Sequence, residues 1–275
     1  MTTEATNEIK VGITGCAGRM GRVLLRQVAG HERCAIVGGS ERGDNEAIGL
    51  DIGELAGIGT LGLTVERSAK PVFEAADVIL DFTAPAATAR HAKLAAETGA
   101  ALVAGTTGLD PDQEKAVTEA SVKTAIVRAA NMSVGINLLL SLTRRVAATL
   151  GSDFDIEILE MHHRHKVDAP SGTALALGRA AASGRGVNHD DVADRGRDGI
   201  TGERRRGDIG YAALRGGNVA GEHAVIFAAD NERVELVHKA TDRAIFARGA
   251  LAAAIWLKGK SPGLYSMADV LGVEA

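Results

Sequence analysis

The feature that most limits what this chain can fold into is a glycine-rich turn near its start. Gly15-Cys16-Ala17-Gly18-Arg19-Met20-Gly21 lies between a short apolar run, residues 9–13, and a stretch with apolar residues at helical spacing (Met20, Val23, Leu24, Val28). Glycine lets the backbone turn tightly and come close to a ligand. The first N–H groups of a helix carry a positive partial charge that favours an anion. A strand, turn and helix of this kind open the βαβ units that bind a pyrophosphate. The spacing is G-x-x-G-x-x-G rather than G-x-G-x-x-G, so a plain tight turn is the alternative. No Gly-Lys-Ser/Thr follows, which excludes a P-loop. Cys16 reads as a small filler, with a reactive helix-end thiol as its alternative.

The first half continues as alternating strand and helix. Strands are expected over 34–37, 77–82, 101–104 and 124–127, and helices over 19–29, 86–97 and 112–120. Buried strand runs that alternate with helices signal a parallel sheet covered on both faces, a Rossmann-type α/β domain. Glu41 and Arg42 follow the second strand, where an acidic residue binds a ribose 2′-hydroxyl and an arginine pairs with a 2′-phosphate. Both are present, so NADH and NADPH are both admitted. Gly105-Thr106-Thr107-Gly108 and Ala129-Ala130-Asn131-Met132 stand at strand C-termini, where open α/β sheets bind ligands.

The pattern changes after Asn131. A long amphipathic helix is expected over 135–150, and a strand over 154–161 in which acidic and apolar residues alternate. A helix starts near Ser171. Strands over 209–214, 222–228 and 233–239 follow closely, which predicts an antiparallel or mixed sheet in a second, α+β domain. Residues 184–210 are polar and Gly-rich and read as a long loop. Within them Glu203-Arg204-Arg205-Arg206 reads as solvated surface, with a subunit or substrate contact as the alternative. A last helix spans 244–257. The expected domains are 1–133 with 243–275, which binds dinucleotide, and 134–242, which binds substrate and oligomerises.

Composition narrows the function class. A net charge of −4 and 3% aromatic residues speak against nucleic-acid binding. Two cysteines are too few for a disulfide framework or a four-thiolate zinc site. Residues 1–10 lack the apolar centre of a signal peptide, and no apolar run reaches the roughly 20 residues of a membrane helix. A cytoplasmic protein with no membrane partner is expected, with residues 1–8 a frayed tail.

The sharpest chemical signal is His162-His163-Arg164-His165-Lys166, which runs through Val167-Asp168-Ala169-Pro170 to Ser171-Gly172-Thr173. Five consecutive basic or titratable side chains are hard to hide in a core. Ser171 or Thr173 can cap the helix that follows, and Gly172 allows close approach, so the helix start is a second anion site. It suits a carboxylate, with Lys166 assisting. His162 or His163 can exchange protons near neutral pH. The histidines can also be read as zinc ligands, but Arg164 and Lys166 oppose a dication and no H-E-x-x-H is present.

Together these residues, with Arg215-Gly216-Gly217 through Gly221-Glu222-His223, resemble the dihydrodipicolinate reductase (4-hydroxy-tetrahydrodipicolinate reductase) family of lysine and diaminopimelate biosynthesis. The resemblance covers nearly the whole chain. It implies a Rossmann domain to which the last helix returns, and a second domain that builds the substrate site and a homotetramer interface. It implies His162 as proton donor and acceptor, Lys166 as a further proton donor, and His163, Gly172 and Thr173 as binders of a small dicarboxylate substrate. Cofactor contacts would fall on Gly15, Cys16, Ala17, Gly18, Arg19, Met20, Glu41, Arg42, Gly105, Thr106, Thr107, Ala129, Ala130, Asn131 and Met132. Cys16 stands where alanine or another small residue is usual, and Met132 where phenylalanine is frequent. The implied reaction is hydride addition to a conjugated cyclic imine, followed by protonation of the resulting enamine at carbon.

Overall fold

The computed structural model describes residues 8–274, so the tail expected over 1–8 lies outside them except for Glu8. The chain divides into two compact units, Met1–Val134 with Ala244–Val270 and Gly135–Arg243 with Leu271–Ala275.

In the first unit β1 (Ile9–Thr14), α1 (Arg19–Ala29) and β2 (Cys34–Ser40) follow the expected strand–turn–helix–strand order. Then come α2 (Ile52–Ala56), β3 (Val65–Glu66) and α3 (Lys70–Ala75). Next are β4 (Val78–Asp81), α4 (Pro85–Thr98), β5 (Ala101–Ala104), α5 (Pro111–Ser121) and β6 (Ala125–Arg128). Pro111 opens α5 behind a capping box in which Asp110 and Gln113 satisfy each other's backbone N–H. The sheet order is β12-β6-β5-β4-β1-β2-β3, where β12 (Gly263–Tyr265) arrives from the end of the chain, and every strand pairing in it is parallel.

Alternation along these strands feeds two cores. Val78, Leu80, Val103 and Val127 face the side that carries α1 and the late helix α9 (Ala244–Leu257). Ile79, Leu102 and Ile126 face the side packed with α3, α4 and α5. This is the doubly covered parallel sheet that the near-continuous apolar strands require. Strand order reverses between β1 and β4, and such a switch point is where open sheets of this type bind ligands.

In the second unit α6 (Val134–Leu150) precedes β7 (Asp155–His162), α7 (Gly172–Arg185), α8 (His189–Val192) and β8 (Ala193–Asp194). Then β9 (Ile209–Arg215), β10 (Gly221–Ala228) and β11 (Arg233–Ala240) complete a mixed sheet ordered β11-β10-β7-β9-β8. Ile156, Ile158, Tyr211, Val225 and Phe227 pack from one sheet face against α6 and α7 through Leu139, Ala147, Leu177 and Ala181. The last element, α10 (Met267–Leu271), follows β12.

The structure corrects one reading and narrows another. Residues 184–210 are not one loop: α7 runs to Arg185, α8 follows, and β8 pairs with β9. In the Glu203–Arg206 run Glu203, Arg205 and Arg206 are exposed, as a solvated surface requires, and Arg204 alone departs from that reading. Arg204 is 19% exposed and donates to Asp155 Oδ1 (2.7 Å), Glu157 Oε1 (2.9 Å) and the carbonyls of Ile156 and Asp208 (3.1 and 2.6 Å). Arg197 adds a bidentate contact to Glu157. The acidic residues on the outer face of β7 thus find their partners within the same unit. Among the described residues no helix is long and apolar enough to cross a membrane.

Candidate functional site

The first unit builds a crevice of about 760 Å3 at the switch point. Gly15, Gly18, Glu41 and Arg42 line it, as does a wall from α4 and the α3 approach that includes Arg67, Lys70, Phe82, Thr83, Arg90 and His91. The turn is held from behind, because Gly15 and Cys16 both donate to Ser40 O (2.8 and 3.2 Å). Gly21 is required for this packing, since a Cβ there would fall 2.2 Å from Gly15 O. Gly18 caps α1 with no side-chain acceptor. The N–H groups of Arg19, Met20 and Gly21 therefore have no intrahelical partner and suit an anion. The Glu41 carboxylate accepts from Ala17 N (3.1 Å) and Arg42 N (3.3 Å), which seats it beside the turn. Donors for a pyrophosphate, an acceptor for a ribose hydroxyl and a neighbouring guanidinium fit a nicotinamide dinucleotide.

The other cofactor candidates divide. Cys16 is fully buried; burial and the Glu41 charge push its thiol up to about 12, and its sulfur packs under Gly39. Only its backbone can meet a ligand, and the filler reading holds. Gly105 donates to Asp81 O, while the Thr106 hydroxyl is buried and bonded to Thr88 (2.7 Å), leaving Thr107 exposed. Ala129 donates to Ala104 O, and Asn131 Oδ1 accepts from Ser133 N (2.9 Å). The Met132 side chain is in the core. Sequence reasoning missed Asp81. Fully buried at the end of β4, it accepts from the hydroxyls of Thr14 (2.9 Å) and Thr83 (2.6 Å) and lies 3.4 Å from His91 Nδ1. Burial pushes its carboxyl up, but His91 and the hydroxyls outweigh that and hold it below the ordinary value.

The second unit places the basic segment at the end of β7. Ile156, Ile158, Glu160 and His162 share one strand face, so the core side turns polar at its last two positions. Across the sheet His223 stands opposite Glu160, and Arg215 opposite His162. Buried Glu160 accepts from Arg215 Nη1 (2.7 Å) and Nη2 (2.8 Å), from Ser171 N (3.0 Å), and pairs with His162 Nδ1 (2.6 Å). Burial pushes the Glu160 carboxyl up; the Arg215 guanidinium and these other donors hold it below the ordinary value. The one side-chain hydrogen bond of His162 among the described residues is through Nδ1, so Nε2 has no such partner.

Beyond His162 the backbone closes on itself. Gly216 N donates to His162 O, His163 N to Val219 O, and Lys166 N to His163 O. Burial, then the neighbouring Arg243, His165, His162 and Lys166, lower His163 below its ordinary value, which favours its neutral form. Lys166 donates to both oxygens of Asp168 (2.7 and 2.9 Å). Ser171 caps α7 by accepting from Ala174 N (3.1 Å), and its hydroxyl meets His223 Nε2 at 3.1 Å. Gly172 stands at the helix start with open space about its Cα, and Thr173 follows in the first turn. The sequence reading assigned no role to Glu160, Arg215 or His223. The signal for Glu160 was a carboxylate on the apolar phase of a strand, in step with Ile156 and Ile158.

Comparison with known proteins finds matches along both units. Residues 9–132 match the family described as dihydrodipicolinate reductase, N-terminus, and residues 135–271 its C-terminus. The 4-hydroxy-tetrahydrodipicolinate reductase of Dinoroseobacter shibae is 55% identical over 95% of this chain and 97% of its own. That of Ruegeria pomeroyi is 56% identical over the same shares, 95% and 97%. Among solved structures, a dipicolinate-bound dihydrodipicolinate reductase from Paenisporosarcina sp. TG-14 superposes with a TM-score of 0.75 at 25% identity, covering 95% of this chain and 98% of that one. With both halves of the chain matched and these relatives alike along their full lengths, the chain belongs to the dihydrodipicolinate reductase family.

Proposed function

We propose that the chain reduces 4-hydroxy-tetrahydrodipicolinate to tetrahydrodipicolinate with NADH or NADPH, a step of lysine and diaminopimelate biosynthesis, using His162 as proton donor. The reductase activity and the nicotinamide cofactor follow from family membership. The crevice lined by Gly15, Gly18, Glu41 and Arg42 holds the dinucleotide, so the first unit is the cofactor domain and the second the substrate domain. Glu41 accepts from ribose hydroxyls and Arg42 pairs with a 2′-phosphate when one is present. The bound nicotinamide supplies the hydride.

The observation that carries the catalytic assignment is the His162 ring. One nitrogen is anchored at 2.6 Å inside the unit and the other has no protein partner among the described residues. That is the geometry of a general acid, and Nε2 delivers the proton to the substrate carbon. The Paenisporosarcina relative holds dipicolinate, a planar ring with two carboxylates. The same ligand class suits the cations and helix start here. Lys166 meets one carboxylate by exchanging its Asp168 partner for the substrate, and its ammonium is a second proton donor. Gly172 N, Thr173 and neutral His163 take the other carboxylate.

The outer face of the five-stranded sheet, with Leu214 and Val237 half-exposed, supports a homotetramer in which this face is covered. Light scattering at micromolar concentration tests that state. The buried, unpaired Cys16 and Cys34 suit a reducing cytoplasm.

The test is an assay of NADH and NADPH oxidation with substrate generated by condensing pyruvate with aspartate semialdehyde. Turnover with neither cofactor overturns the reading. His162→Ala is expected to lower kcat by about 10²–10⁴ while cofactor Kd stays unchanged; unaltered turnover removes His162 from the mechanism.

A further inference from the structure

We propose that Glu160 is a positioning residue for the reduction: it fixes the tautomer and ring plane of His162 and ties that ring to the substrate-binding start of α7. The inference rests on the assignment of His162 as proton donor.

The argument begins with hydrogen-bond capacity. An ionised carboxylate only accepts, at about four lone-pair sites. Glu160 has four donors at hand. Oε1 takes Ser171 N (3.0 Å) and Arg215 Nη2 (2.8 Å), and Oε2 takes Arg215 Nη1 (2.7 Å) and His162 Nδ1 (2.6 Å). The acceptor set is therefore full, and the proton of the shortest contact belongs to Nδ1. When the His162 ring is neutral, its other nitrogen, Nε2, must be the unprotonated one. Nε2 is then the site that gains a proton from solvent and passes it to substrate. A ring anchored the other way round would present a fixed N–H and no basic site.

The carboxylate is itself immobile. Glu160 is 1% exposed, and its charge is balanced by a guanidinium engaged through two parallel bonds, a geometry that fixes both planes. Arg215 is held in turn, since its Nη2 also donates to Asp168 O (2.6 Å). Ser171 N makes the connection to binding. The residue that donates to Glu160 is the N-cap of α7, directly before Gly172 and Thr173. His162, facing His223 edge-on at 5.1 Å, thus shares one carboxylate with the helix start. Three elements, β7, β9 and α7, meet at this group, so the proton donor and the carboxylate-binding helix start keep a fixed spacing.

Two experiments test this. In protein with 15N-labelled histidine, long-range 15N–1H correlation reads which ring nitrogen carries the proton. The His162 signals are assigned by their loss in His162→Gln. The expected pattern for the neutral ring is protonated Nδ1 and bare Nε2; the reverse tautomer overturns the proposal, and this measurement needs no variant of Glu160. In steady-state assays Glu160→Gln is expected to lower kcat by about 10–100-fold, the usual effect of removing a group that orients a ligating or reacting histidine. KM for both substrates should stay within about threefold, and the loss should vanish when His162 is already Gln. Equal further loss in the His162→Gln background means that Glu160 acts by another route and overturns the proposal. If His162→Gln loses turnover and Glu160→Gln does not, Glu160 is excluded and His162 stands. If His162→Gln keeps full turnover, the proton-donor reading falls and this inference with it.

Discussion

Lys166 carries its charge next to a carboxylate of its own chain. Asp168 takes both hydrogen bonds from its ammonium, and that contact, against an opposing effect of burial, holds the Asp168 carboxyl below its ordinary value. A substrate carboxylate competes with Asp168 for the same donors, so Lys166→Ala should weaken substrate binding and turnover together. One charge-assisted hydrogen bond of about 1.5–3 kcal/mol corresponds to a loss of about 10–100-fold in kcat/KM. Unchanged kcat/KM in that variant refutes the anion-site role. Gly221 is a second case. A Cβ at Gly221 would lie 3.0 Å from His162 Nε2 and 3.4 Å from Cδ2. Gly221→Ala should push the ring off its line and crowd the nitrogen that delivers the proton. The expected result is about a tenfold fall in kcat, of the size a misplaced reacting group produces, with no change in cofactor Kd by fluorescence titration. A variant with wild-type kcat shows that the ring has room to spare.

At the scale of elements, what the sequence revealed depended on length and period. α1, α4 and α9 carry enough turns for a 3.6-residue pattern, and β4, β5 and β6 are apolar runs bounded by helices, so their places were legible. α2, β3 and β12 are five, two and three residues long, too short for any period to register. β2 runs on through Gly38 and Gly39, which read as its end, because those glycines pack against Val72 and Cys16 rather than turn. Glu160 and Arg215 were given no role, although Arg215 stood among the residues that carried the resemblance, because their pairing lies in a cross-strand register that local sequence does not carry. Arg204 is the clearest such case, since it stands in an otherwise exposed run and yet clamps the acidic residues of β7. Arg204→Ala removes the donors to Asp155, Glu157 and two carbonyls. It should cost about 2–3 kcal/mol, as for hydrogen bonds to charged groups. The urea midpoint should fall with the slope unchanged, and trypsin should cut within 195–207 before elsewhere. An unmoved midpoint makes the clamp ornamental.

Across the whole molecule, lowered carboxylates occur in both units, whereas the imidazoles shifted by burial among the described residues lie in the second, and acid should separate the two. The second unit buries imidazoles. Burial, then the neighbouring His162, draws His223 down to about 4, with Glu160 opposing and His238 and Lys166 adding to the shift. Burial also lowers His238. In the unfolded chain these rings titrate near their ordinary value of about 6.5. As pH falls from there, the unfolded state binds protons that the folded unit refuses, so stability present above 6.5 is lost through the window down to about 4. For His223 alone that gap corresponds to about 3 kcal/mol. The lowered carboxylates of the first unit, Asp51, Asp81 and Asp269, behave otherwise. What they contribute is intact above the unfolded carboxylate value of about 3.9 and is lost only as pH drops through and below it. Between pH 6.5 and 4 the second unit should therefore weaken while the first holds. Native-state hydrogen exchange at pH 5 and pH 7.5, corrected for intrinsic rates, reads this directly. Amides of β7, β9 and β10 should lose protection, and those of β1, β4 and β5 should keep it. Substituting His223 with Asn, which is neutral at every pH in the window, should remove most of the difference. Equal loss in both units, or earlier loss in β1 and β4, would show that the buried imidazoles do not govern the acid response.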